Sequence, residues 1–141
     1  MKSLIPSDKI NELLPQKHPF VMIKEMLDYQ ENEITTRTEI DAENLFIEKG
    51  KFNESGLIEN FAQSIALHTS YGYFLRNEVA PVGYIGSVSN AIINRLPKVG
   101  EVIITKIEII TEFSGITLVQ GETRCNGEMI LSAKMKTFIA N

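Results

Sequence analysis

Apolar positions recur at spacings of three and four through one stretch, Ser55–Arg76 (SGLIENFAQSIALHTSYGYFLR), and predict a long helix. Ile58, Ala62, Ile65 and Thr69 form its expected buried face. Phe61 and Leu67 widen the apolar surface, and the Ala62/Ala66 pair lets a sheet approach closely. Charges are few: Glu59 stands near the start and Arg76 at the end, where a cation suits the helix dipole. A helix apolar on most of its sides has to be wrapped by other elements.

The remaining chain supplies the wrapping. Ser7 caps a short expected helix, Asp8 to Leu14, which Pro15 stops. Phe20–Leu27 is a mostly apolar strand candidate and Asp28–Asn32 a polar turn. Glu33–Ile40 alternates around Ile34, Thr36, Thr38 and Ile40, as a half-buried strand does. Asp41–Glu54 is mixed, with Lys49-Gly50-Lys51 as a loop tip. Beyond the long helix, Val82–Asn94, Glu101–Phe113, Ile116–Cys125 and Glu128–Ile139 read as strands. They are separated by the turn Leu96-Pro97-Lys98-Val99-Gly100, by Ser114-Gly115 and by the hairpin dipeptide Asn126-Gly127. Two strands, a long helix and four hairpin-linked strands give an α+β fold: an antiparallel sheet wrapped around one central helix, in a single domain over residues 1–141. One helix covers only one face of such a sheet, so a partly apolar second face is expected to favour a dimer.

Composition narrows the chemistry. A net charge of −4 without a basic block argues against nucleic acid. The single cysteine, Cys125, excludes an internal disulfide and fits a reducing compartment, so a cytoplasmic setting is expected. The N-terminus lacks the pattern of a signal peptide, and no apolar run reaches the ~20 residues of a membrane span. The histidines and carboxylates show no metal-ligand spacing, and Gly83-Tyr84-Ile85-Gly86-Ser87-Val88 lacks the strand-then-helix context of a phosphate loop. Cys125, inside a strand with no cation beside it, reads as a small buried residue.

The candidates for acid/base work are Glu59, His68 and His18. A carboxylate on an apolar helix is either desolvated and fit for proton transfer near neutral pH, or a rim group that reaches water. Gln63, one turn on, can orient Glu59 or a ligand. His68 follows Glu59 by nine residues, about 900° of rotation, and belongs to the opposite helix face. It is an interface or surface histidine unless a second chain uses it. His18, before Pro19, is a loop histidine or one that reaches a site across an interface.

Three segments carry a family resemblance. Leu14-Pro15-Gln16-Lys17-His18-Pro19-Phe20-Val21-Met22-Ile23 resembles the opening Leu-Pro-His-Arg-x-Pro-Phe-Leu-Leu-Val of the hot-dog-fold 3-hydroxyacyl-[acyl-carrier-protein] dehydratases. Gly56-Leu57-Ile58-Glu59-Asn60-Phe61-Ala62-Gln63 is similar to their helix start, where Ile-Glu-x-x-Ala-Gln recurs, and Leu96-Pro97-Lys98-Val99-Gly100-Glu101 to their Pro-Val-x-Pro-Gly-Asp turn. The three keep the family's order over about 90 residues, and the whole looks most like the shorter dehydratase-like proteins of aryl-polyene and flexirubin-type pigment clusters.

The resemblance implies a hot-dog dimer acting on acyl thioesters of acyl carrier protein or coenzyme A, with no cofactor and no metal. It implies Glu59 as acid/base and backbone amides at Gly56 and Leu57 as stabilisers of the thioester carbonyl, beside which Gln63 is a substrate-binding candidate; for the second catalytic group, His68 or His18 substitutes for the family's histidine, or desolvation lowers Lys51, or the chain no longer dehydrates. The family's loop Gly-His-Phe-Pro-Gly is replaced by Gly50-Lys51-Phe52-Asn53-Glu54, so Lys51 stands at the histidine position. A solvated lysine is protonated at neutral pH and accepts no proton. A catalytically silent partner subunit of another dehydratase, as homodimer or heterodimer, and a hot-dog thioesterase are the alternatives.

Overall fold

Asn126 and Gly127, both at positive φ (52° and 79°), turn β7 (Ile116–Cys125) directly back into β8 (Glu128–Ile139). Ser114 and Gly115 (51° and 79°) do the same between β6 (Val102–Phe113) and β7. In this computed structural model, which describes residues 4–5 and 7–139, these hairpins form the middle of a six-stranded antiparallel sheet. It is completed by β1 (Glu25–Gln30), β2 (Glu33–Glu39) and β5 (Gly83–Ile93), in the order β1-β2-β6-β7-β8-β5. The helices are α1 (Ser7–Leu13) and α2 (Glu54–Leu75); α2 packs across β2 and β6. The expected α+β architecture of a sheet around one long helix is the one the chain adopts. The Ser7 cap expected for α1 rests on a side chain outside the described ones.

Two boundaries depart from the sequence pattern. Residues 20–23 are apolar but form no strand, because their backbone groups bond to α2 instead: the Phe20 carbonyl and Met22 N–H to Gln63, the Met22 carbonyl to Asn60. The polar residues 28–30 extend β1, with Asp28 opposite Thr35 and Tyr29 opposite Ile34, so the turn shrinks to Glu31 and Asn32. The segment 41–54 contains a further hairpin, β3 (Ile47–Glu48) and β4 (Lys51–Phe52), turning at Lys49 and Gly50. Phe52 N–H donates to Pro97 O (2.8 Å) and Val99 N–H to Gly50 O (3.0 Å), which fastens this hairpin to the turn before β6.

The buried face of α2 is only partly the expected one. Ile65 is buried as expected, together with Leu57, Asn60, Phe61, Ser64 and Leu67, whereas Ile58, Ala62, Ala66 and Thr69 are only half-buried. Polar residues sit on the core face because the sheet meets them with hydroxyls. Asn60 Nδ2 donates to Met22 O (2.7 Å) and Thr38 Oγ1 (3.2 Å), and its Oδ1 accepts from Thr105 Oγ1 (2.7 Å). With the Thr105 proton so used, Thr123 donates to Thr105 (2.9 Å). Ser64 Oγ donates to Asn60 O (2.9 Å), leaving Thr36 to donate to Ser64 (2.9 Å). Thr36, Thr105 and Thr123 are direct cross-strand neighbours, so one register places the whole set under the helix.

Gly121 lets the helix come this close. A Cβ there would lie 2.6 Å from Lys106 O and 3.0 Å from the Phe61 ring. The first is backbone and cannot swing aside. Gly121→Ala is therefore expected to destabilise the fold by about 1–3 kcal/mol, read as a lower urea midpoint at unchanged m.

Glu101 closes the turn 96–100. Its Oε1 accepts from Lys98 N–H (2.8 Å) and Arg95 (3.0 Å), and its Oε2 from Asn126 (3.1 Å). The Lys98 amide first, and then the Arg95 guanidinium, hold its pKa down to about 2 from 4.5. A carboxyl whose folded pKa is depressed adds stability above its unfolded pKa and loses it as pH falls toward the folded value. Between pH 4.5 and 2 the native protein should thus lose stability more steeply than Glu101→Gln, and the two curves should converge near pH 2 in acid-unfolding titrations. Cys125, buried beside this cluster, has its thiol pKa raised by burial and stays protonated at neutral pH.

The second sheet face is more polar than expected. Lys106, Glu108, Gln120, Glu122 and Lys134 line a shallow concavity on it. Exposed apolar side chains gather elsewhere, on β5, where Gly83 through Ile92 are all exposed, with Tyr84, Ile85, Val88 and Ile92 among them. As a sheet edge, β5 pairs with β8 on one side and has no strand on the other among the described residues.

Candidate active site

Asn53 starts the helix that carries the site. Its Oδ1 accepts from Gly56 N–H (2.9 Å), the bond of an N-cap, and its carbonyl accepts from Leu57 N–H (3.1 Å). The two amides expected to polarise a thioester carbonyl are therefore already engaged within the chain. Both residues are buried, and a Cβ at Gly56 would lie 2.5 Å from the Phe52 ring. Gly56 is there to let the hairpin strand pack under the helix start; Leu57 fills the core.

Glu59, in the second turn of α2, is half-buried and lines a groove of about 520 Å³. The groove follows the helix face bearing Ala62, Ile65, Ala66 and Thr69 toward Arg76, with Tyr84 and Ile85 of β5 on its far wall. Glu59 is thus neither dry nor in open solvent: it edges a cleft. Its Oε1 accepts from Gln63 Nε2 (2.9 Å). The same nitrogen donates to Phe20 O (2.8 Å), which brings the segment carrying His18 alongside Glu59. The His18 ring itself is exposed.

His68 lines the same groove although the helical wheel sets it opposite Glu59, because the groove spans nearly half the helix circumference. Nine residues of helix nevertheless separate the two by roughly 13 Å along the axis. The His68 ring stacks on Tyr29 at 5.0 Å, and its Nε2 lies 2.9 Å from Gln30 O. A carbonyl only accepts, so Nε2 carries the proton and Nδ1 has the lone pair. Burial lowers the His68 pKa, outweighing the backbone bonds to Gln30 and Glu31, and the ring is neutral at neutral pH. Lys51, at the family's histidine position, is exposed on β4.

Three residues of the site escape the sequence pattern. Asn53 carried a usable signal, a cap-type residue just before the helix. Asn60 carried none, since an asparagine inside an apolar helix gives no hint that hydroxyls await it. Gln16 lines the groove next to Pro15, and its Oε1 is buried without a hydrogen-bond partner among the described residues. Among the described residues no helix is long and apolar enough to cross a membrane, and no group of three or more His, Cys, Asp or Glu is placed to hold a metal ion.

The chain matches one family and is similar in fold to proteins of more than one activity. Residues 8–141 match the ApeP-like family, described as ApeP dehydratase. The 3-hydroxyacyl-[acyl-carrier-protein] dehydratase FabZ of Histophilus somni is 28% identical over 138 residues, covering 94% of this chain and 90% of the relative. FabZ of Vibrio campbellii is 27% identical over 143 residues, covering 96% and 93%. Among solved structures, a chain of the dehydratase heterocomplex ApeI:P from Xenorhabdus doucetiae superposes with a TM-score of 0.87 at 17% identity, over 97% of this chain and 92% of that one. A hypothetical thioesterase protein with coenzyme A from Streptococcus pneumoniae gives 0.66 at 13% identity, over 83% and 85%. At such identities these two likenesses are of fold.

Proposed function

Since the chain belongs to the ApeP-like dehydratase family, we propose that it acts on 3-hydroxyacyl thioesters of acyl carrier protein, or of coenzyme A, as a dehydratase. The observation that carries this is Glu59: a carboxylate held by Gln63 at the edge of a groove, with its second oxygen making no hydrogen bond among the described residues. In dehydration the C2–H and C3–O bonds break, a C2=C3 double bond forms, and the proton and hydroxyl leave as water, with the thioester intact. Glu59, in its carboxylic acid form, gives a proton to the departing C3 hydroxyl, and the proton taken from C2 replaces it by the end of the turnover. His18, whose segment shares the Gln63 amide with Glu59, takes the C2 proton. His68, neutral and bonded to Gln30 O, stands along the groove wall. A cytoplasmic setting belongs with this function, as does pairing with a second chain along the open β5 edge.

A second proposal is favoured by Lys51, exposed where the family has its histidine. Here the chain binds the acyl group and completes a dimer with a histidine-bearing dehydratase, which contributes the base. Hydration of a trans-2-enoyl pantetheine thioester by the purified chain separates the two. Activity of the chain alone supports the first, and activity only after mixing with such a relative supports the second. Release of free thiol without hydration would instead indicate thioester hydrolysis and overturn both.

A further inference from the structure

We infer that Gln16 is a substrate-binding residue, whose side-chain carbonyl accepts from the amide N–H nearest the sulfur of the thioester arm; this rests on the thioester substrate proposed above. Among the described residues, Gln16 Oε1 is the one buried side-chain polar atom without a hydrogen-bond partner. Such an orphan lowers stability, and native chains keep few of them. Its neighbour does not relieve it, since Lys17 Nζ donates to Asn11 O (2.6 Å) and Leu14 O (3.2 Å). The backbone on both sides of Gln16 is pinned. Leu14 is buried in the core, and its N–H donates to Ile10 O (3.0 Å) at the end of α1. Phe20 N–H donates to Lys17 O (2.8 Å), and Phe20 O accepts from Gln63 Nε2 (2.8 Å). Between these anchors the Gln16 side chain lines the groove that Glu59 edges. Gln63, the substrate-binding candidate of the sequence, is spent inside the chain: Oε1 accepts from Met22 N–H (2.7 Å), and Nε2 donates to Phe20 O and Glu59 Oε1.

The substrate's own chemistry decides which donor Gln16 meets. An acyl chain brings no N–H or O–H except the C3 hydroxyl, which meets Glu59. The pantetheine arm, common to acyl carrier protein and coenzyme A, carries amide N–H groups, the nearer one an ethylene unit from the sulfur. With the acyl chain running along α2 toward Arg76, the sulfur and its arm leave by the Glu59 end, to which the Phe20 bond ties the Gln16 segment. The last torsion of a glutamine is soft, so Oε1 turns from its buried position to a donor in the groove at little cost. The arm then supplies the hydrogen bond that the chain itself does not.

Calorimetry with two saturated hexanoyl thioesters, which cannot be hydrated, tests this in whichever assembly carries the hydration activity. One is the N-acetylcysteamine thioester, which keeps the N–H; in the other an ester oxygen replaces that nitrogen. The native protein should bind the first about five- to tenfold more tightly, the worth of one neutral hydrogen bond. Gln16→Leu should cut this preference below about twofold by weakening the N–H thioester alone. Its urea midpoint should be no lower than the native one, because the substitution removes a buried orphan. A native protein that binds both thioesters alike, or neither, overturns the inference without any variant. An undiminished preference in Gln16→Leu, or equal weakening of both thioesters with a lowered midpoint, overturns it as well and marks Gln16 as structural. If Glu59→Gln leaves hydration unchanged, the dehydratase proposal fails instead, and the hexanoyl preference still decides the role of Gln16.

Discussion

Glu59→Gln is expected to lower hydration of a trans-2-enoyl thioester by on the order of 10²–10⁴-fold, the usual contribution of a positioned general acid or base. The substitution is nearly isosteric. Its amide oxygen can still accept the Gln63 N–H, so the groove edge should keep its shape and the thermal midpoint should stay close to that of the native chain. What disappears is a transferable proton. The rate should fall mainly in kcat, because the lost interaction belongs to the transition state. Initial-rate kinetics at matched folded fraction check this, and a variant within a factor of about two of the native rate would remove Glu59 from the chemistry.

Asn60→Leu should produce the largest loss of stability, about 2–4 kcal/mol. Leucine has nearly the right volume, so no cavity accounts for the loss. The damage is to partners left without a bond: Thr105 Oγ1 loses its acceptor, and the Met22 carbonyl and Thr38 Oγ1 lose a donor, all buried under the helix. Replacing one member of a satisfied buried network exposes the desolvation cost of the others. Urea unfolding measures it. A loss below about 1 kcal/mol would mean that the hydroxyls re-pair among themselves or with water.

The sheet was largely legible because its signals are local. Asn126-Gly127 and Ser114-Gly115 dictate hairpins whatever lies around them, and β7 and β8 begin and end where the pattern puts them. The orientation of α2 was not legible. Apolar periodicity selects Ile58, Ala62, Ile65 and Thr69, yet the core side also takes Asn60 and Ser64, because hydroxyls on three neighbouring strands meet them. Side chains matched by distant polar partners look misplaced until those partners are known. The same cause kept residues 20–23 from forming the expected strand: the backbone partners of Phe20 and Met22 are side chains some forty residues away. For the site, Glu59 and Gln63 were visible from helical spacing, whereas the prior engagement of the Gly56 and Leu57 amides follows from an asparagine cap.

Lys51 gives the oligomer question its chemical content. The dehydration chemistry needs a group that takes the C2 proton, and the family's histidine is absent from this position, where Lys51 is exposed. Either His18 reaches the substrate beside Glu59 or a second chain brings the base. Both proposals give Glu59 the departing C3 hydroxyl, which is why its substitution tests them first.

The most direct test is a structure of the protein in its active assembly with an unreactive, amide-linked 2-enoyl pantetheine. The account predicts the acyl chain in the α2 groove, with C3 within ~4 Å of Glu59 Oε2 and the Gln63 bond to Oε1 intact. An acyl chain bound away from α2, with Glu59 facing only water, would contradict it.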